Sequence, residues 1–300
     1  MRIVAAGASG MIGEPLVRWW RSAGHDVVRL VRRAPTAPGE VQWDPASGRL
    51  DPALLGRVDA AVNLAGAGVG DQRWTEEYKR TIVESRTSST ATLARALAQL
   101  DQAPRVLLQG SATGFYGDRG DEVVDEGSSA GEEFLAGACV AWEAAAAPAR
   151  AAGIRTVSLR TGLVMASRGG AFGPLLPLVK LGLGGPLGDG RAWWSWITLD
   201  DELRAIDHLL HADVSGPVNL VAPEPGRNAE VIGALARANH RPSLLPVPRF
   251  ALKAAVGEFA EEILSSRRVA PKALLDSGFE FRHPDTASAV RWTRAEGARS

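Results

Sequence analysis

Residues 3–13 read IVAAGASGMIG, a short apolar run that leads into glycines spaced three apart. Apolar residues recur with helical spacing over the next stretch, residues 16–20. This order predicts a strand, a tight turn and a helix. Three glycines near a turn are weak evidence alone, but a strand before them and a helix after them are the context that a phosphate-binding turn requires.

Each of the three glycines has a separate role in such a turn. Gly7 and Gly10 lack a Cβ atom, so the backbone can turn sharply and a pyrophosphate can approach it closely. Gly13 lets the new helix pack tightly on the strand, and backbone N–H groups at the helix start point at the phosphates. Ala8 stands where the strict G-x-G-x-x-G form has a glycine. We predict a dinucleotide-binding turn rather than a strand–helix turn without a ligand.

The composition excludes several classes of protein. Lys plus Arg total 34 and Asp plus Glu total 34 in 300 residues, so the net charge is zero and no nucleic-acid partner is expected. The one cysteine, Cys139, excludes an intrachain disulfide and is typical of a reducing compartment. No signal peptide, no apolar run of about 18 residues and no metal-ligand pattern are recognisable. We expect a cytoplasmic protein without a membrane partner or a metal.

The second strand, residues 26–31, ends at Arg32 and Arg33. In NAD enzymes an acidic side chain at this position, about 20 residues past the glycines, binds the ribose 2′-hydroxyl. The sequence places no carboxylate directly beside these arginines, and guanidinium groups pair with a 2′-phosphate. NADP(H) is therefore favoured over NAD(H). The alternative is two solvated arginines at a strand end.

Further strands are predicted over residues 58–66 and 105–111, each ending in small or hydroxyl residues, with a long helix over 75–100 between them. Strands that alternate with helices indicate an α/β fold with a doubly wound parallel sheet, the Rossmann arrangement. Arg86 lies on the long helix, where it can reach a cofactor phosphate or ribose or simply be solvated. Small residues at strand ends leave room for a ligand.

At these positions the chain resembles an extended short-chain dehydrogenase/reductase. The supporting motifs are Gly7-x-x-Gly10-x-x-Gly13, Asn63-Leu64-Ala65-Gly66, Ser111-Ala112-x-Gly114-x-Tyr116-Gly117 and Arg160-Thr161-Gly162. More closely, it resembles the atypical "epimerase family proteins" of the NAD-dependent epimerase/dehydratase-like branch. Those marks are Arg73-Trp74, Ser85-Arg86, Trp142-Glu143-Ala144-Ala145, residues 182–188 (GLGGPLG), Trp196-Ile197 and Pro271-Lys272-x-Leu274. The similarity covers essentially the whole chain.

The resemblance implies an NADP(H)-binding Rossmann domain over residues 1–165, to which residues 195–221 return. Residues 166–300 would form a smaller C-terminal substrate lobe and a C-terminal module. The resemblance also implies that Ser9, Gly10, Met11, Ile12 and Arg32 contact the cofactor's phosphates. It further implies that Leu64, Ala65, Arg86 and the backbone around Val164 line the path from adenosine to nicotinamide. Arg33 and Gly66 are predicted cofactor contacts as well.

The usual catalytic pair of the superfamily, a tyrosine four residues before a lysine, is absent. Its lysine and cofactor stabilise a phenolate that serves as acid or base. Here Tyr78 is followed four residues on by Ile82, and Tyr116 by Gly120. The segment expected to carry the pair, residues 134–139, reads FLAGAC.

Two hydroxyls remain as candidate catalytic groups. Ser111 matches the hydroxyl that orients a carbonyl substrate in the family, and Tyr116 is predicted on a loop that overhangs the nicotinamide. Without a lysine, Tyr116 is a better hydrogen-bond donor than base. The carboxylates of the loop over residues 118–126 are expected to be solvated.

The sequence of the second half of the chain allows more than one interpretation. Residues 181–190 are glycine-rich, and Trp193, Trp194 and Trp196 follow, either as a stacking wall for a substrate or as packing between lobes. Residues 294–300 are predicted to be disordered. The favoured function is an NADP(H)-dependent oxidoreductase or epimerase-like enzyme acting on a small carbonyl or hydroxyl compound. An NADP(H)-binding sensor with little turnover and a nucleotide-sugar epimerase are the alternatives.

Overall fold

A computed structural model of the protein describes residues 1–170, 172–173, 175–243 and 245–299. The strands are β1 (Arg2–Ala6), β2 (Asp26–Val31), β3 (Glu40–Gln42), β4 (Ala60–Asn63), β5 (Val106–Ala112), β6 (Val123–Val124), β7 (Arg155–Thr161), β8 (Leu163–Met165), β9 (Trp193–Trp194), β10 (Trp196–Thr198), β11 (Gly216–Leu220), β12 (Gly226–Arg227) and β13 (Arg268–Val269). The helices are α1 (Gly13–Ser22), α2 (Glu76–Ala98), α3 (Phe134–Ala144), α4 (Ala147–Ala151), α5 (Leu175–Lys180), α6 (Leu199–His211), α7 (Asn228–Ala238), α8 (Arg249–Val256), α9 (Phe259–Leu264), α10 (Lys272–Asp276) and α11 (Thr286–Arg299). Within these described ranges, no helix combines the length and apolar character that crossing a bilayer requires.

Seven strands form one sheet in the order β11-β7-β5-β4-β1-β2-β3, and all of its pairings are parallel. The chain starts in the middle with β1, runs to one edge through β2 and β3, and then returns to the other side of β1 with β4. The strand order therefore reverses between β1 and β4, and a crevice opens there at the carboxyl ends of the strands. The predicted doubly wound α/β fold is confirmed.

The strands of this sheet are apolar throughout because helices cover both faces. In β1, Ile3 and Val4 are both fully buried but point to opposite sides. Ile3 packs in a cluster with Trp20 of α1 and the apolar side of α6, whereas Val4 packs with Leu93 and Leu97 of α2. This two-sided burial fixes the sheet, and with it the edge at which β1, β4, β5 and β7 end.

The tryptophans after the glycine-rich run belong to a separate core. Trp194 and Trp196 are buried in one apolar cluster with α5, α7 and α11, and Trp194 meets the Phe172 ring edge-on at 5.9 Å. Trp193 lies between the guanidinium groups of Arg227 and Arg268, at 4.5 and 4.6 Å from its ring. Of the two open interpretations, packing is the one confirmed.

The end of the chain departs from the prediction of disorder over residues 294–300. Helix α11 runs on to Arg299, and Ser300 lies outside the described residues. Ala289, Val290 and Thr293 are buried because they form one face of this helix, which packs on α7. The Ser167 backbone N–H donates to Glu296 at 2.7 Å, so the last turns are also held by a polar contact.

Candidate cofactor and active site

The backbone conformation and close packing of the glycine turn between β1 and α1 do not accommodate residues with a Cβ atom. Gly7 has φ +76°, and a Cβ atom there would lie 2.5 Å from the carbonyl carbon of Leu64. A Cβ on Gly13 would overlap the Gly7 carbonyl oxygen. The Gly10 N–H donates to that same oxygen at 3.0 Å. Ile12, the residue before α1, provides no side-chain cap, so the first N–H groups of the helix are not used by one.

Two other predicted contact residues line this turn. Ser9 is exposed, and Met11 packs against the loop after β8, where a Cβ on Gly170 would lie 2.9 Å from the Met11 sulfur. The same Cβ would lie 3.2 Å from the carbonyl oxygen of Val164, whose residue is buried in β8. Met11 and Val164 are therefore brought to one side of the turn.

The two arginines at the end of β2 differ in their contacts. Arg33 makes a bidentate pair with Glu40, with both N–O distances 2.8 Å. These hydrogen bonds hold the pKa of Glu40 at about 2. The pairing of β2 with β3 brings Glu40 there, which corrects the expectation that no carboxylate lies beside the arginines. Arg32 is exposed and has no side-chain hydrogen bond or ion pair with any described residue. Only Arg32 presents an unpaired guanidinium at this strand end.

The end of β4 is shaped by a buried amide. Asn63 is fully buried, and its Oδ1 accepts from the Ala65 backbone N–H at 3.1 Å, which fixes the turn. Its Nδ2 donates to Thr90 at 3.0 Å. This turn presses the Leu64 backbone against Gly7 and leaves Gly66 open towards α2.

Arg86 of α2 fills the space in front of Gly66. A Cβ on Gly66 would lie 3.1 Å from the Arg86 Cγ, and the guanidinium lies 5.0 Å from the Trp142 ring. Its Nη1 donates to the carbonyl of Ile82 at 3.0 Å. Burial lowers the pKa of Arg86, and none of the described carboxylates is within ion-pair distance of it. A half-buried cation without a counter-ion favours an anionic ligand.

Ser111 of β5 uses its hydroxyl in a hydrogen bond within the protein. The residue is buried, and Oγ donates to Glu143 Oε1 at 2.6 Å. Arg160 holds the same carboxylate through Nε at 2.8 Å and Nη2 at 3.0 Å. The hydroxyl is therefore committed to a closed ion-pair network rather than available to a carbonyl substrate.

The prediction that Tyr116 overhangs the nicotinamide is wrong. Residues Thr113–Tyr116 form a 3-10 turn that points the phenol ring into a small core with Val124 and Val221. The ring is fully buried, and its hydroxyl donates to Asn219 at 2.7 Å while accepting from Arg160 at 3.0 Å. Burial raises the pKa of Tyr116. The loop prediction failed because the two hydrogen-bond partners of the hydroxyl, Arg160 and Asn219, lie 44 and 103 residues away in the chain.

The segment that lacks the tyrosine–lysine pair faces Gly114, just past the end of β5. A Cβ on Gly114 would lie 3.5 Å from Leu135 Cβ, 3.9 Å from Cys139 Sγ and 4.0 Å from Glu262 Oε1. Burial raises the pKa of Cys139 to about 11, so the thiol stays protonated at neutral pH. Glu262 is paired with Arg267 through two N–O contacts of 2.6 Å.

Comparisons with known proteins agree with this fold and show the family of the chain. The model of the NAD dependent epimerase/dehydratase family matches residues 3–222, and a domain of unknown function, DUF1731, matches residues 247–293. The chain belongs to the NAD-dependent epimerase/dehydratase family. It is 44% identical over 290 residues to an epimerase family protein of Mycobacterium bovis, covering 96% of each chain. The resemblance noted in the sequence is confirmed.

Two solved structures are similar to this epimerase-family chain. The crystal structure of human epimerase family protein SDR39U1 with NADPH has a TM-score of 0.89 and 31% identity, covering 98% of this chain and 99% of that one. UDP-glucose 4-epimerase of Thermus thermophilus, in complex with NAD, has a TM-score of 0.79 at 20% identity and covers 99% of both chains. The second likeness concerns the fold alone.

The residues of this family member fit a dinucleotide. A Cβ atom on Gly7 or Gly13 would collide with the backbone of Leu64 or of Gly7, so the glycines let these segments approach closely and form a cradle of backbone. Arg32 and Arg86 stand on the two sides of that cradle, at the ends of β2 and β4, without a carboxylate partner among the described residues. Backbone donors flanked by two unpaired cations suit the phosphates of such a ligand.

Sequence reasoning missed Glu262 and Arg267 of the DUF1731 region. They lie about 150 residues after Gly114 in the chain, on and just after the short helix α9. Nothing local in the residues around them points to the end of β5. Their approach to Gly114 depends on how α9 folds back over the sheet, which no spacing rule predicts.

Proposed function

We propose that the protein binds NADP(H) and transfers hydride between this cofactor and a small carbonyl or hydroxyl compound. The observation that carries the proposal is the unpaired Arg32 guanidinium at the end of β2, next to the glycine turn. In doubly wound folds this strand end contacts the adenosine ribose, and an arginine there accommodates a 2′-phosphate. The human relative whose structure contains NADPH supports the same choice.

The remaining contacts follow the crevice across the sheet. The N–H groups between Gly7 and Gly13 would hold the pyrophosphate, where the α1 dipole favours negative charge. Arg86, in front of Gly66, would pair with a phosphate or hydrogen-bond a ribose on the nicotinamide side. The bound nicotinamide would supply or accept hydride. The chain would hold the substrate at the ends of β5 and β7, beneath α8 and α9.

Cofactor titrations test this proposal. NADPH and NADH are titrated into the wild-type protein and the Arg32→Ala variant, and binding is followed by nicotinamide fluorescence. We expect Arg32→Ala to weaken NADPH about tenfold and leave NADH unchanged, because one charge-assisted contact is worth roughly 1–2 kcal/mol. Arg33→Ala is the matched control, since Glu40 already occupies that guanidinium. Equal weakening of both dinucleotides by Arg32→Ala would contradict the 2′-phosphate contact.

A second function, an NADP(H)-binding sensor without turnover, is favoured by one specific feature. The Ser111 and Tyr116 hydroxyls, the two candidate catalytic groups of the sequence, are both buried in polar networks. A screen with NADPH and aliphatic aldehydes, aromatic aldehydes and α-dicarbonyl compounds separates the two functions. Tight NADPH binding with no oxidation of NADPH across the screen would favour the sensor.

A further inference from the structure

We infer that Glu262, from the C-terminal module, is the proton-handling group that replaces the absent tyrosine–lysine pair. The inference rests on the proposed NADP(H) chemistry and goes beyond it by naming the catalytic residue. Glu262 Oε1 would lie 4.0 Å from a Cβ on Gly114, beside Leu135 and Cys139 of α3. These two residues are four apart, the spacing of the absent pair. The carboxylate therefore reaches the place on α3 where that pair is missing.

This place lies on the nicotinamide side of the crevice. The sheet order puts β2 and Arg32 on one side of β1, and β4 and β5 on the other. A dinucleotide that crosses the reversal point with its adenosine at Arg32 extends its other half towards the ends of β4 and β5. Gly114 follows β5 directly. Glu262 thus stands next to the expected reacting end of the cofactor.

The carboxylate keeps acceptor capacity that its ion pair does not use. Arg267 donates one hydrogen bond to each carboxylate oxygen, at 2.6 Å, whereas an ionised carboxylate accepts about four. Among the described residues, no other group donates to the Glu262 side chain, which is 19% exposed. Arg267 is itself fixed, since its Nε donates to the Gly117 carbonyl at 2.9 Å. Glu262 is therefore oriented but still accessible.

Helix α9, which carries Glu262, and the preceding helix α8 are both anchored to the Rossmann domain. The Phe259 ring lies 5.4 Å from the ring of Trp74, and Lys79 pairs with Glu258 at 2.7 Å. Arg73 donates to the carbonyls of Ala254 and Ala255 at the end of α8. These contacts hold α8 and α9 over the loop after β4. A reacting group placed on such an anchored element keeps its geometry.

The chemistry of Glu262 is that of a general base on an alcohol substrate. The substrate loses a hydride from carbon to the bound oxidised nicotinamide and its hydroxyl proton to Glu262 Oε1. The O–H electron pair becomes the second bond of the carbonyl, so charge and electrons balance. In the reducing direction the protonated carboxyl returns that proton to the forming alkoxide. A positioned base of this kind contributes typically about 10²–10⁴-fold.

Turnover of matched glutamine variants is the direct test. Glu262→Gln keeps the side-chain shape and an acceptor for Arg267, whereas Glu261→Gln changes the neighbouring exposed carboxylate, which pairs with Arg249. With the carbonyl or alcohol compound that the wild type turns over best, we expect kcat to fall at least ~100-fold in Glu262→Gln and less than about twofold in Glu261→Gln. The Kd for NADPH should change less than about threefold in both. Wild-type kcat in Glu262→Gln would overturn the inference and leave the proposed function intact.

A binding measurement decides the matter if wild-type turnover is below detection. The oxidised nicotinamide ring carries a positive charge that the reduced ring lacks, so a facing carboxylate favours NADP⁺. Glu262→Gln should therefore weaken NADP⁺ relative to NADPH by at least about threefold, and an unchanged ratio overturns the inference. Glu262→Asp, which keeps the charge, should retain the ratio. Glu262→Ala, which removes the charge, serves if the glutamine variant does not fold, and an unchanged ratio in that variant likewise overturns the inference. Failure of the wild type to bind either dinucleotide would instead refute the proposed function.

Discussion

The ends of β1 and β5 lie on the same edge of the sheet but are built in opposite ways. Past β1, the turn from Gly7 to Gly13 presents backbone, because Ser9 and Gly10 are exposed and the three glycines carry no side chain. At the end of β5, Ser111 and Tyr116 are linked to each other through Arg160 and Glu143. The first is an open surface of backbone, and the second is a closed network of side chains.

This difference separates binding from chemistry in the molecule. An open backbone cradle offers hydrogen-bond donors to any ligand of the right shape and charge. A closed network satisfies its own polar groups and gives stability and rigidity instead. Near the end of β5, the side chains of Arg86 of α2 and Glu262 of α9 lie outside this closed network.

The largest effect is expected for Gly13→Ala in the open cradle. The added Cβ would overlap the Gly7 carbonyl oxygen and lie 2.9 Å from its carbon, so the backbone of the turn must move. We expect the free energy of unfolding to fall by about 4 kcal/mol, with NADPH binding lost beyond detection. Urea unfolding and NADPH titration measure the two effects.

Gly24→Ala is the control for that substitution. Gly24 has a left-handed backbone, with φ +84°, but nothing lies within 4 Å of an added Cβ. Its cost should be the backbone strain alone, about 1 kcal/mol, with NADPH affinity unchanged. If Gly13→Ala behaved like Gly24→Ala, the closeness of strand and helix would not be what keeps the cradle open.

The open cradle was predictable from sequence because its causes are local. The apolar run of β1, the glycine spacing and the helical period of α1 lie within about 20 consecutive residues. The same holds for the alternation of strands and helices that predicts the doubly wound sheet. Strand order then follows from right-handed crossovers and from the reversal at β1.

The partners of the polar side chains were not predictable, because these residues meet only in three dimensions. Arg33 looks free until the pairing of β2 with β3 brings Glu40 to it. Tyr116 looks like a loop residue until Asn219, 103 residues later, accepts its hydroxyl. Glu262 approaches Gly114 only through the packing of α9. The type of a polar residue indicates which chemistry it can perform, whereas its hydrogen-bond partners decide whether the side chain is available to a ligand.

The end of β7 also has its polar side chains paired within the protein. Through one of them, the free energy of unfolding of the protein should depend on pH. Thr161 donates to Glu202 Oε1 at 2.9 Å, and Oε2 is buried without a hydrogen bond from the described residues. Burial raises the pKa of Glu202 from 4.5 to about 8. The folded state therefore holds a proton that the unfolded state releases between these two values. Stability from this group is greatest below pH 4.5 and is lost as pH rises to about 8.

Glu202→Gln should remove this dependence. Relative to the wild type, the variant should gain about 1 kcal/mol per pH unit between roughly pH 5 and 7.5, and about 3 kcal/mol in all. Urea unfolding at several pH values measures the difference. A constant difference between wild type and variant across this range would mean that Glu202 is ionised in the folded protein.

Tyr116→Phe should destabilise the protein by about 2 kcal/mol. The substitution keeps the ring in its core but leaves Asn219 Oδ1 and Arg160 Nη1 without a partner in a buried site. NADPH affinity and any turnover should stay within about threefold of the wild type, because the hydroxyl does not reach the crevice. Loss of turnover with unchanged stability would contradict the contrast between the two strand ends. It would mean that the Tyr116 hydroxyl donates a hydrogen bond or a proton to the substrate.

Ser111→Ala should have the smallest effect, about 1 kcal/mol of unfolding free energy. Glu143 loses the hydroxyl that donates to Oε1, but both of its oxygens stay paired with Arg160, so no buried charge is left alone. For the same reason turnover should remain. The discriminating measurement is kcat at matched folded concentration, compared with that of Glu262→Gln. A drop of about 100-fold in Ser111→Ala would show that this hydroxyl leaves Glu143 to meet the substrate, so that the network at β5 opens during the reaction.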